Sequence, residues 1–155
     1  MRRAAVIGLI LLLAIAGLIV RPSRAQTPST ETIKVKEGFG SGTVLQGTRP
    51  HRVNAGDVYI LSAPLFSSGQ QVGRERYVCT VHVGSVHDSH NTLCAVELKI
   101  TGRGRVEAQG NIHLGKQHDV LGVTGGTGDF SDVAGTVQRA GRAAMPTVTI
   151  NLIYH

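Results

Sequence analysis

The chain has 155 residues, 16 Lys and Arg against 10 Asp and Glu, three Phe, three Tyr and no Trp. That length fits one domain able to bury a proper core. Four of the basic residues (Arg2, Arg3, Arg21 and Arg24) fall in the first 25, leaving 12 against 10 in the remainder. This near balance, with so few aromatics, excludes a basic, base-stacking surface for nucleic acid.

Arg2 and Arg3 precede an uninterrupted apolar run from Ala4 to Val20, followed by Pro22 and the small-residue site Ser23-Arg24-Ala25. These are the three parts of a secretory signal peptide, so residues 1–25 are expected to be removed on export, with Gln26 as the first mature residue. The run is at the lower limit for spanning a bilayer, and an uncleaved membrane anchor is the alternative. With cleavage, no membrane attachment remains and the protein is secreted or periplasmic. Residues 26–31 are polar and read as a mobile leader. The domain itself is expected over residues 32–155.

From Thr32 on, the pattern is almost entirely period two. Ile33, Val35 and Glu37 share one face of a first strand. A loop over Gly38 to Gly42 leads to a short strand at Thr43 to Thr48. Longer strands are expected over Asp57 to Phe66, Arg74 to Val83, Leu93 to Thr101 and Gly104 to Gly110, with a turn over Ser67 to Gly73 and a two-residue turn at Gly102-Arg103. His118 to Thr124 and Asp132 to Arg139 flank a glycine-rich turn. Finally, Val148, Ile150, Leu152 and Tyr154 alternate with polar residues in a strong last strand. No window of the mature chain has a helical period. The class is all-β, a sandwich or a closed antiparallel barrel. A last strand this strong suits closure against the first, which would remove exposed edges.

Within Leu121–Val137, Gly122, Gly125, Gly126 and Gly128 imply positive φ or close backbone approach. A phosphate loop is excluded, because Asp129 and Phe130 follow Gly128 where Lys and Ser/Thr are needed. A dinucleotide fingerprint fails at Ser131 and at the strand-like pattern that follows. The stretch therefore reads as strand, glycine turn (Gly125, Gly126, Gly128), strand.

Val-Thr-Gly-Gly-Thr-Gly-Asp-Phe followed by Ala-Gly-Thr-Val closely resembles the signature of the allene oxide cyclase and dirigent barrel superfamily. Upstream pieces fit the cyclase branch in order: Gly56-Asp57-Val58-Tyr59, Ala63-Pro64-Leu65-Phe66, Val72-Gly73, Tyr77-Val78-Cys79 and Val106-Glu107-Ala108-Gln109-Gly110. The resemblance implies a closed antiparallel eight-stranded barrel with a cavity lined by Val35, Phe39, Ala63, Pro64 and Cys79. It implies an apolar small molecule as partner, no cofactor, and a homo-oligomer, dimer or trimer.

The export route is oxidising, and Cys79 and Cys94 are the only cysteines. A hairpin that places them opposite each other also pairs Tyr77 with Val96 and Arg76 with Glu97, at the cost of setting Arg74 against Lys99. A Cys79–Cys94 disulfide is expected, with free buried thiols as the alternative. His87, Asp88 and His90 are near one another but match no zinc spacing, so no metal site is assigned.

Glu37 is the candidate catalytic residue. If its face is the interior, desolvation would raise its pKa and suit it to acid, base or electrostatic work. If the strand has already ended, it sits in water at the rim. Plant cyclases have a glutamate near this position, credited with stabilising charge as an epoxide opens, and Thr-Ile-Lys-Val-Lys-Glu37 aligns with it. Two asparagines of the plant site correspond to Phe39 and Ala63, and a tyrosine to Ile112 or its neighbour. The acidic, Arg and Tyr set of dirigent proteins is not evident in the sequence. Two function classes remain: an isomerase of cyclase type that directs a ring closure, and a non-catalytic exported barrel that binds a ligand or a protein.

Overall fold

The structure is a computed structural model describing residues 27–45, 54–83, 91–113, 118–141 and 145–155. The expected signal peptide (residues 1–25), residues 46–53 and the His87, Asp88 and His90 group all lie outside the described residues.

Alternation becomes nine antiparallel strand segments: β1 (Ser29–Glu37), β2 (Ser41–Leu45), β3 (Val58–Ser67), β4 (Gln70–Val83), β5 (Asn91–Ile100), β6 (Gly104–His113), β7 (His118–Gly128), β8 (Val133–Ala140) and β9 (Thr147–Tyr154). From β3 to β9 each strand pairs with its chain neighbours, β9 closes on β1, and β1 closes on β3. The result is a closed antiparallel eight-stranded barrel.

β2 continues the line of β1 along β3. Glu37 faces Leu65 and Ser41 faces Ser62. Four steps on one side against three on the other insert one extra residue at residues 38–40, which is a bulge. This corrects the placement of Phe39. Strict alternation would return it to the interior two residues after Glu37, but the extra residue turns it outward, where it is 77% exposed.

Three other boundaries differ from the sequence reading. The expected leader joins β1 from Ser29, held by Glu31. The turn expected over Ser67 to Gly73 contracts to Ser68 and Gly69, both at positive φ. In the glycine stretch, Gly125 and Gly126 lie inside β7, and the turn proper is residues 129–132. Gly126 is there for close approach: a Cβ would collide with the carbonyls of Phe130 and Arg105. Gly128 alone of the three takes positive φ, at 67°.

Val35, Leu65, Val96, Leu98, Val106, Leu121, Val137, Val148, Ile150 and Leu152 fill the interior. One end is sealed by Phe130, fully buried, with the Arg103 guanidinium 4.7 Å over its ring. Arg103 also forks onto Glu31 at 2.7 and 2.9 Å, and Tyr154 donates to the same carboxylate at 2.6 Å. Side-chain hydrogen bonds from Arg103, then from Tyr154, hold the Glu31 carboxyl down at about 2. This network ties the β5–β6 turn to the β1–β9 closure.

Candidate functional site

Inward positions of a barrel strand repeat every two residues. On β4 they are Glu75, Tyr77 and Cys79, on β1 Val35 and Glu37, and on β8 Val137 and Arg139; all but Arg139 are buried. Glu37, Glu75, Tyr77 and Arg139 therefore project into the interior, among largely apolar neighbours.

Glu37 points inward. Arg139 Nε and Nη2 both reach its Oε2 at 2.7 Å. The guanidinium carbon lies 5.7 Å from the centre of the Tyr77 ring. Glu75 is fully buried, and the Tyr77 hydroxyl donates to its Oε1. Its Oε2 accepts no hydrogen bond from a donor, and the Glu37 carboxylate lies within hydrogen-bonding reach of the Glu75 carboxyl. Burial, and then the negative charge of Glu37, push the Glu75 carboxyl from its ordinary 4.5 up to about 8. Burial, then the charges of Glu75 and Glu37, likewise raise the Tyr77 phenol well above its usual value.

These assignments give a consistent charge count. Glu37 and Arg139 neutralise each other, and Glu75 keeps its proton at neutral pH, so the cluster carries no uncompensated charge in a low-dielectric interior. What it holds is one ion pair, one phenol and one carboxylic acid hydrogen-bonded to the Glu37 carboxylate. A desolvated carboxyl with a raised pKa is found at Glu75.

Glu37, Leu61, Tyr77, Cys79, Ile112 and Arg139 line a cavity of about 40 Å³. Val35 is buried beside Arg139 through Val148, and Ala63 is buried opposite Glu75. Pro64, expected in the cavity, alternates to the outer face of β3, where it would contact a Cβ on Gly38. Cys79 lines the cavity and is bonded to Cys94, at a Cα separation of 4.0 Å. Tyr77–Val96, Arg76–Glu97 and Arg74–Lys99 all pair in the expected register.

Sequence reasoning missed Glu75, Tyr77 and Arg139 as site residues. A signal existed for the first two: once Tyr77 and Cys79 share a face, Glu75 must share it. A signal existed for Arg139 as well, since it is the only cation of β8 and shares the period-two face of Val133 and Val137.

No protein-family model and no curated protein sequence matches the chain. Its fold is shared with solved barrels. The pterocarpan synthase dirigent protein GePTS1 superposes with a TM-score of 0.65 at 13% identity, over 85% of this chain and 88% of that one. The Diels–Alderase AbmU from Streptomyces koyangensis gives 0.64 at 10% identity, covering 84% and 71%. A pyocyanin demethylase gives 0.63 at 21% identity, covering 80% and 99%. The chain thus shares the fold of these dirigent and cyclase barrels.

Proposed function

We propose that the barrel binds an apolar small molecule against the interior cluster and directs its cyclisation or isomerisation, as an isomerase of cyclase type. The observation that carries this reading is the buried Glu75 carboxyl, which keeps its proton beside the Glu37–Arg139 ion pair. A proton donor held in a dry interior, next to a fixed ion pair, is what an electrophile such as an allylic epoxide needs as its ring opens. Glu75 would protonate or hydrogen-bond the departing oxygen, and Tyr77 would orient Glu75. The Glu37 carboxylate would stabilise the positive charge that develops on carbon. The apolar walls would hold one conformer of the substrate, so that one ring closure is favoured. The dirigent protein GePTS1 and the Diels–Alderase AbmU, barrels of like fold, support this reading.

The present cavity is room for about one water, so a substrate must displace side chains at its opening. Leu61, 36% exposed, is the least confined of them. The same small volume favours the second reading, a non-catalytic exported barrel whose interior is structural. Glu37→Gln separates the two. It keeps size and hydrogen bonding while removing the charge, and turnover of an allylic epoxide should fall roughly a hundredfold with little change in binding. Wild-type turnover no faster than the spontaneous background would leave the second reading.

The Cys79–Cys94 disulfide suits an oxidising compartment. With the basic, apolar N-terminal segment, it supports export and cleavage before Gln26. N-terminal sequencing of the exported form tests this, and finding Met1 retained in the membrane fraction would contradict it.

A further inference from the structure

The outer wall carries a charge pattern that disfavours folding. Arg74 on β4 stands directly opposite Lys99 on β5, which stands directly opposite Arg105 on β6, and all three are exposed. Like charges directly opposed across an antiparallel pair are destabilising. Arg76, two residues along β4, adds a fourth cation on the same face. Glu97 is taken by Arg105 at 3.3 Å, and Arg74 donates to Ser62 Oγ at 3.2 Å. Arg76 and Lys99 make no ion pair among the described residues.

Three of these cations border a groove of about 530 Å³ between β2 and β5. Arg74, Arg76 and Lys99 line it together with Ser41, Thr43 and Ser62 and with the Glu97 carboxylate, which Arg105 engages, so the groove keeps a net positive charge. The volume lies in the range of small-molecule sites. No aromatic residue lines the groove, so nothing there stacks on a planar ligand.

We infer that this groove binds a phosphate or sulfate ester, independently of the interior cluster. A tetrahedral oxyanion matches the donor set. The guanidinium groups supply forked N–H donors, Lys99 a point charge, and the hydroxyls neutral donors. An anion seated between Arg74 and Lys99 also replaces their mutual repulsion with attraction, so the unfavourable register becomes binding energy.

The test is calorimetric titration of the mature protein with inorganic phosphate at low salt. Saturable binding is expected, weakening as sodium chloride is added. Arg76→Gln and Lys99→Gln, both at exposed outer positions, should each weaken it roughly tenfold. A parallel arm uses flotation with vesicles of equimolar phosphatidylglycerol and phosphatidylcholine. Co-flotation that both variants lose would place the ester on a lipid headgroup, whereas phosphate binding without co-flotation would make it a soluble ester. No binding in either arm, or binding that both variants retain in full, would overturn the site.

Discussion

Glu75→Gln should abolish a pH dependence that the fold builds into its own stability. In the folded barrel the Glu75 carboxyl is raised from 4.5 to about 8, by burial first and by the Glu37 charge second. The unfolded chain releases that proton above its ordinary pKa, while the folded chain keeps it until about 8. Between those values the folded state binds more protons, so stability falls as pH rises. Each pH unit costs about 1.4 kcal/mol, and near neutral pH the loss amounts to about 3 kcal/mol. That is a large share of the stability of a single domain, roughly 5–15 kcal/mol. Glutamine keeps the shape and the contact with the Tyr77 hydroxyl but does not titrate. Thermal melts of both proteins from about pH 5 to about pH 8 should show little difference at the acid end. The variant should melt roughly 10 °C higher at the alkaline end. Parallel curves across that range would refute the assignment of a buried, protonated Glu75.

Arg139→Met strands the Glu37 carboxylate in the interior and should cost about 3–5 kcal/mol in urea unfolding. The double variant Glu37→Gln/Arg139→Met should recover most of that loss, and no recovery would mean that the pair is not coupled. Replacing both Cys79 and Cys94 by alanine opens a loop with a sequence separation of 15 and should cost about 3 kcal/mol. Two free thiols found by mass spectrometry in the oxidised wild type would contradict this. Gly135→Ala sets a Cβ against the Asn151 carbonyl at a φ of 147° and should destabilise the barrel by roughly 1–3 kcal/mol. An unchanged unfolding midpoint would show that β8 can relax there.

The β4–β5 hairpin was legible because two cysteines and two side-chain pairs all demand one register. The apolar alternation of the last strand suited closure but left a sandwich open, and the family resemblance decided for the barrel. Phe39 was not, since a single extra residue reverses facing, and nothing in Gly38-Phe39-Gly40 states where the extra residue falls. The glycine stretch was read as a turn because glycine serves both turns and close approach; only the packing of Phe130 and Arg105 against Gly126 separates the two uses. Glu37 was placed on the inner face by period two alone. The cluster around it escaped notice because its members come from β1, β4 and β8, which are distant in sequence. Closing the barrel is what brings Arg139 to Glu37, 102 residues apart.

The interior site is tested most directly by the enantiomeric excess of the cyclised product formed from an unstable allylic epoxide, measured by chiral chromatography against the spontaneous background. A barrel that holds one conformer against Glu75 and Glu37 predicts a clear excess of one enantiomer with the wild-type protein. That excess should fall toward the background with Glu37→Gln and with Glu75→Gln. A racemic product at saturating wild-type protein would contradict the directing role and leave a barrel that only binds.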